Sequence, residues 1–178
     1  SNKKIPVNLE MAANKKMLKI ALLNKPKFVC IVPEKRQEIT TEGGLNLKKN
    51  YKKIFYIINK LNNDKIRTSL FINPSIQDIK LSKALGANCV EIHTGKLSNL
   101  IKNNKKFSKE IMKIHKSTIY ANKIGLEVHA GHGMDYKTTK ILSKIKGIKE
   151  FNIGHFIIGE SIFLGLKKTI SKVKKNIK

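Results

Sequence analysis

Six short apolar runs alternate with longer amphipathic stretches along this chain, and that alternation limits what it can fold into. The runs are Pro6–Leu9, Phe28–Val32, Arg67–Ile72, Cys89–His93, Gly125–His129 and Phe151–Ile153. They begin about 20 to 40 residues apart, the spacing of βα units whose helices cross back over a parallel sheet. The intervening stretches carry helix signals. Ile54, Ile57, Ile58 and Leu61 recur with helical spacing, and Ser75 with Asp78 resembles a capping box ahead of Ile76–Leu85. A long helical stretch, 107–124, precedes the fifth run, and Phe163, Leu166, Ile170, Val173 and Ile177 line one face of a last helix. No Pro/Gly/Ser-rich linker divides the chain, so one α/β domain over residues 1–178 is expected. Periodicity leaves two architectures open, an α/β barrel and an open doubly wound sheet.

At 178 residues the chain is long enough for one domain with a sizeable core. Its formal charge of +25 invites a nucleic-acid reading. Against that reading, Arg36 and Arg67 are the only arginines, the lysines are spread along the chain, and aromatic residues are sparse. Bidentate phosphate and base contacts favour arginine, and single strands favour aromatic stacking platforms. A basic nucleic-acid-binding protein therefore stays an alternative, and no nucleic-acid partner is expected. No run approaches the roughly 18 apolar residues of a membrane span, and the N-terminus lacks the apolar core of a signal peptide. Cys30 and Cys89 sit inside apolar runs without metal-type spacing, which suits buried free thiols in a reducing, cytoplasmic compartment.

Polar residues gather where the runs end, which is where α/β sites lie. Glu10 closes the first run. Glu91 and His93 are two apart and share a face, leaving Val90 and Ile92 to the opposite one. An acid inside so apolar a run needs a partner or a raised pKa, and a structural salt bridge is the plainer account of it. Two glycine–histidine turns follow the last two runs: Val128-His129-Ala130-Gly131-His132-Gly133 and Asn152-Ile153-Gly154-His155. Glycine lets backbone N–H groups approach an anion, a following helix N-terminus favours it, and imidazole moves protons near neutral pH. The pair points to a phosphorylated substrate. A barrel metallohydrolase using His129, His132 and His155 is a rival, weakened because no dedicated Asp ligand ends a run. His115 reads as a surface residue, and the long polar segment from Val32 to Leu45 as a substrate-binding or ordering loop.

That segment contains Val32-Pro33-Glu34-Lys35-Arg36 and Thr40. With Asn8-Leu9-Glu10-Met11-Ala12, Glu91-Ile92-His93-Thr94-Gly95, Ala130-Gly131-His132-Gly133 and Asn152-Ile153-Gly154-His155, it resembles the pyridoxine 5′-phosphate synthase family. The strings come in the family's order and span nearly the whole chain. The resemblance implies a (β/α)8 barrel with extra helices, of which about six βα units, strands 3–8, are present here. It implies a homo-octamer and the condensation of 1-deoxy-D-xylulose 5-phosphate with 3-amino-2-oxopropyl phosphate, without a metal or organic cofactor. Carried over by motif, Glu10 is a proton acceptor, His132 the proton donor and Glu91 a stabiliser of a transition state. Thr40 would contact the deoxyxylulose phosphate, and Gly133, Gly154 and His155 the aminoketone phosphate. The family has two further βα units ahead of these, with an Asn-x-Asp-His strand and an Arg/His-rich loop that no string here replaces. Synthesis is expected to require those units. The family also commonly carries Arg where this chain has Glu160.

Overall fold

A computed structural model describes residues 5–34 and 43–177. The elements in chain order are β1 (Asn8–Ala12), α1 (Lys15–Asn24), β2 (Phe28–Val32), α2 (Tyr51–Asn63), β3 (Arg67–Ile72), α3 (Ile76–Ala84) and β4 (Cys89–His93). There follow α4 (Gly95–Lys102), α5 (Ser108–Lys123), β5 (Glu127–Gly131), α6 (Tyr136–Leu142), β6 (Ile148–Asn152), α7 (His155–Leu164) and α8 (Leu166–Ile177). The strands form one parallel sheet in the order β1-β2-β3-β4-β5-β6. That order decides between the two architectures left open above. A doubly wound sheet reverses direction at a switch point, whereas strands added always on the same side, through right-handed crossovers, keep their helices on one face. The topology is that of a barrel. Among the described residues β1 and β6 each pair along one edge only, so the barrel is open between them.

The two faces of the sheet divide by chemistry. Val29, Ile31, Leu70, Ile72, Val90, Ile92 and Val128 point to the helix side, are completely buried, and belong to one continuous core with Ile54, Ile58 and Leu61 of α2. The alternate positions carry Glu10, Cys30, Ser69, Cys89, Glu91, Glu127 and His129 on the concave side. Barrel interiors are ordinarily filled by branched apolar side chains, so this face is built for something other than packing. Among the described residues no helix is long and apolar enough to cross a membrane.

Local signals set the helix ends. Asn14, Ser75 and Asp135 are N-caps whose side chains accept from the N–H groups of Met17, Asp78 and Thr138. Helix α5 ends at Gly125, with φ +74°, where the Leu126 and Gly125 N–H groups donate to the carbonyls of Ala121 and Asn122. This left-handed turn needs glycine, and it delivers the chain directly into β5.

Strands β2, β3 and β4 have the boundaries expected from the sequence. Strand β1 runs two to three residues further than expected, so Glu10 sits mid-strand instead of at its end. Strand β5 begins at Glu127 and extends to Gly131, and β6 begins at Ile148. The last-helix stripe is corrected more strongly. Gly165 breaks that stretch, placing Phe163 on α7, and Phe163, Leu166 and Ile177 are exposed, while Thr169 and Val173 are the buried positions of α8. Helix α7 buries none of its residues: Ile158, Ile162 and Phe163 face solvent beside the open edge at β6, and Phe163 is 84% exposed.

Candidate active site

The carboxyl ends of the strands surround a cleft of about 1320 Å³. Glu10 from β1, Glu91 and His93 from β4, His132 and Gly133 after β5, and Asn152, Gly154 and His155 at the end of β6 all line it. Six of the seven residues singled out from the sequence are thus brought together. The seventh, Thr40, lies outside the described residues. The polar segment that contains it leaves and re-enters the described structure beside the cleft, through Val32, Pro33 and Gly43.

Glu91 is the most unusual group in the site. It is only 4% exposed, on an interior strand, and burial raises its pKa above the ordinary carboxylate value. Two neutral donors oppose that rise. Asn152 Nδ2 donates to Oε2 at 2.7 Å, and the Cys30 thiol donates to the same oxygen at 3.5 Å. The salt bridge expected for Glu91 is replaced, among the described residues, by these uncharged donors. The Cys30 thiol, buried and next to a carboxylate, is pushed well above its usual range and remains a thiol. Gly131 makes room for Glu91: a Cβ there would overlap Oε1 of the carboxylate and press on Asn152.

His132 is held by its backbone. Its φ is +78°, in the left-handed region that non-glycine residues avoid. The hydroxyl of Thr94, a residue with no exposed surface, lies 2.8 Å from the carbonyl oxygens of both Gly131 and His132, and the Thr94 N–H donates to Gly131 at 2.9 Å. The His132 ring stacks on His93 with centroids 4.9 Å apart, and Phe71 meets His93 edge-on at 5.3 Å. A non-glycine residue held in the left-handed region at the mouth of a cleft marks a turn whose conformation its neighbours must maintain. The β6 turn differs. Gly154 is the N-cap of α7, so the backbone N–H groups from His155 onward open onto the cleft side of that helix.

The metal reading is not supported. His132 and His155 line the cleft, but His129 lies deeper on the concave face. There its Nε2 is 2.9 Å from Glu127 Oε1 and its Nδ1 3.7 Å from Glu150 Oε1. The His-x-x-His spacing therefore does not chelate, because the turn at Gly131 throws the two rings to different places. Ligand atoms of Cys89, Glu127 and His129 come within 4.8 Å of one another. The Arg67 guanidinium, 3.0 Å from Glu127, already supplies a cation there and draws the Glu127 carboxyl down to about 2. Cys89 is raised to about 11 by burial.

Asn152, Thr94 and His93 were not among the residues singled out for roles. His93 was legible as Glu91's partner on one face. Asn152 and Thr94 carried no signal beyond their place at a strand end, since each acts on a residue 37 to 61 positions away.

A parallel βα assembly with carboxylates, imidazoles and two glycine turns gathered at the carboxyl ends of its strands places the chain in the barrel class, whose enzymes carry their sites at that mouth. Solved structures agree on the fold alone. 3-Keto-L-gulonate-6-phosphate decarboxylase from Vibrio cholerae superposes with a TM-score of 0.62 at 11% identity, over 97% of this chain and 72% of that one. A xylose isomerase domain protein from Planctomyces limnophilus gives 0.59 at 10% identity, over 100% and 73%. Sequence goes further. The family described as pyridoxal phosphate biosynthesis protein PdxJ matches residues 1–178, and the chain belongs to it. It is 63% identical to pyridoxine 5′-phosphate synthase of Pelagibacter ubique over 98% of this chain and 73% of that protein. To the Zymomonas mobilis protein of the same name it is 44% identical, over 96% and 66%. The chain thus spans about two thirds to three quarters of the length of these relatives.

Proposed function

We propose that this cleft serves the ring-forming condensation of 1-deoxy-D-xylulose 5-phosphate with 3-amino-2-oxopropyl phosphate to pyridoxine 5′-phosphate, with release of inorganic phosphate and water, a step of vitamin B6 biosynthesis. The observation that carries the reading is the meeting of Glu10, Glu91 and His132 with the Gly133 and Gly154–His155 turns in one cleft. Condensing an amine with a ketone, losing water and closing a ring requires protons to be taken from carbon and given to departing oxygen. Glu10, exposed to the cleft, takes the role of acceptor. His132, fixed on its strained turn, is the donor. Glu91 stabilises charge developing between them. Backbone N–H groups at Gly133, Gly154 and His155 hold the aminoketone phosphate without competing for those protons, and Thr40 is assigned by motif to 1-deoxy-D-xylulose 5-phosphate. The reading includes no metal or organic cofactor, small phosphorylated partners, a cytoplasmic location and a homo-octamer.

The test is formation of pyridoxine 5′-phosphate from both substrates. It is run on the 178-residue chain and on a chain extended at its N-terminus to the length of the relatives, each with Glu10→Gln and His132→Asn variants. Synthesis that depends on both residues, and that needs the extended chain, is the expected result. Synthesis indifferent to Glu10 and His132 overturns the assignment.

A further inference from the structure

We propose that Asn152 is a positioning residue for Glu91: with the Cys30 thiol it anchors one carboxylate oxygen and leaves the other against the glycine turn that carries His132. The inference rests on the reading above and deepens it. Its geometry spans the open sheet. Glu91 lies on β4, Cys30 on β2 and Asn152 at the end of β6, so three strands meet on a single carboxylate. Both hydrogen bonds end on Oε2, at 2.7 Å from Asn152 and 3.5 Å from Cys30. Oε1 accepts no hydrogen bond among the described residues and is packed against the Cα of Gly131, one residue before His132. A carboxylate with four lone-pair sites, anchored through one oxygen, is oriented but not saturated. Its free oxygen remains available to a substrate proton or a developing positive charge.

The anchor also sets the charge state. Burial favours the neutral acid, and the charged groups around Glu91 divide in sign: Glu10 on β1 disfavours the carboxylate and His129 on β5 favours it. Asn152 and Cys30 are the neutral donors that favour the ionised form. An amide N–H on a carboxylate is a charge-assisted bond, stronger than one between neutral groups. Losing it makes Glu91 harder to ionise by about one pH unit, a tenfold change in proton affinity. A side chain that only packs would not move that titration.

The experiment reads the Glu91 carboxyl directly. The protein is labelled with 13C at glutamate side-chain carboxyls, Glu91 is assigned by its loss in Glu91→Gln, and its chemical shift is followed with pH. The variants are Asn152→Ala, the isosteric Asn152→Asp, and Cys30→Ser, which keeps a donor. Upward displacement of the Glu91 titration by about one unit in Asn152→Ala, a larger one in Asn152→Asp, and little change in Cys30→Ser support the proposal. Should Asn152→Ala fail to fold, Asn152→Asp alone decides it, because it replaces a donor by an acidic group of the same shape. An unmoved titration in the folded Asn152 variants overturns it. Turnover of the N-terminally extended chain carrying the same variants separates the two readings. If the acidic limb of the pH–rate profile moves with the titration, both stand. If the titration moves and the limb does not, Asn152 positions Glu91 and it is the role of Glu91 in the reaction that fails.

Discussion

Replacing Thr94 by valine preserves the shape of a side chain with no exposed surface and removes one hydroxyl. That hydroxyl lies 2.8 Å from two carbonyl oxygens, those of Gly131 and His132. Gly131 keeps a second donor, the Thr94 N–H at 2.9 Å, so the loss falls on His132. An acceptor left without its donor costs about 1–3 kcal/mol when buried, and the toward-solvent side of this turn places the cost at the lower end. The consequence for His132 is larger than the bond itself. At φ +78° its backbone is in a conformation that costs about 1–3 kcal/mol and persists only while neighbours hold it. Thr94→Val is therefore expected to lose about 1–2 kcal/mol of stability, roughly 2–4 °C in Tm per kcal/mol for a chain of this size. Turnover should fall further, on the order of 100-fold, because a displacement of about 1 Å at a reacting group has that effect. Urea unfolding of the 178-residue chain, and synthesis rates measured in the N-terminally extended chain, for wild type, Thr94→Val and Thr94→Ser are the assay. Thr94→Ser keeps the donor and should recover most of both quantities. A Thr94→Val protein with wild-type stability and wild-type turnover would refute the argument that the hydroxyl holds the turn.

Gly131→Ala places a methyl group where Glu91 Oε1 now sits, and overpacking of this kind costs about 1–3 kcal/mol. Loss of synthesis together with a lower urea midpoint is expected, and retention of both would show that Glu91 moves freely. Glu91→Gln should lose synthesis yet melt at a higher temperature than wild type at neutral pH. The buried carboxylate has a raised pKa, so its ionisation opposes folding above the ordinary value of 4.5, and the gain should vanish as pH falls below that value. Glu127 works in the opposite direction. Its folded-state value of about 2 lies below the ordinary 4.5, so its contribution to stability is complete above 4.5 and is lost as pH falls toward 2. Acid unfolding of Arg67→Met should lack the part of that loss due to the Arg67–Glu127 pair, and an acid transition identical to wild type would contradict it.

The legible part of the fold was its layering. Strands β2, β3 and β4 are largely apolar runs, although their concave positions include Arg67, Ser69, Glu91 and His93, and their limits are plain in the sequence. The strands at the open edges were harder. In β1, Glu10 interrupts the pattern because its face borders a cleft. In β6, Ile-Lys-Glu-Phe-Asn is polar on both sides because little covers it, and half of it was missed. Strand order could not be read, because a helical period is the same in a barrel and a doubly wound sheet. Residues of the site were legible where a strand ended in an unusual type: Glu91 in an apolar run, His132 between glycines. His129 misled for the same reason, as a histidine beside a glycine turn, and only the bend at Gly131 separates it from His132. Asn152 and Thr94 are ordinary residues for a turn. What they do depends on register across the sheet, which brings Asn152 to Glu91 across 61 positions of sequence and which no local pattern encodes.

The polar concave face gives these observations a common cause. Stability here comes from the outer layer, where buried isoleucines, leucines and valines of the sheet meet α2, α3 and α5. The concave face is thereby released from packing, and many of its groups pair with one another, while Ser69 Oγ and His129 Nδ1 are buried without a hydrogen bond among the described residues. Arg67 pairs with Glu127, Glu127 with His129, and His129 faces Glu150, all below the cleft. Above them Cys30 and Asn152 converge on Glu91. A buried network of this kind is stable only when its members have partners. The lower set is centred on the Arg67–Glu127 ion pair, which already neutralises the Glu127 carboxylate. The upper set is different in kind, because Glu91 is held by neutral donors on one oxygen and its charge is not cancelled. Burial makes the Glu91 carboxyl costly to ionise in the free protein, and positive charge beside it would lower that cost. The donor that reaches the His132 carbonyl is likewise neutral, the Thr94 hydroxyl, so both Glu91 and His132 are held by partners that bring no charge of their own.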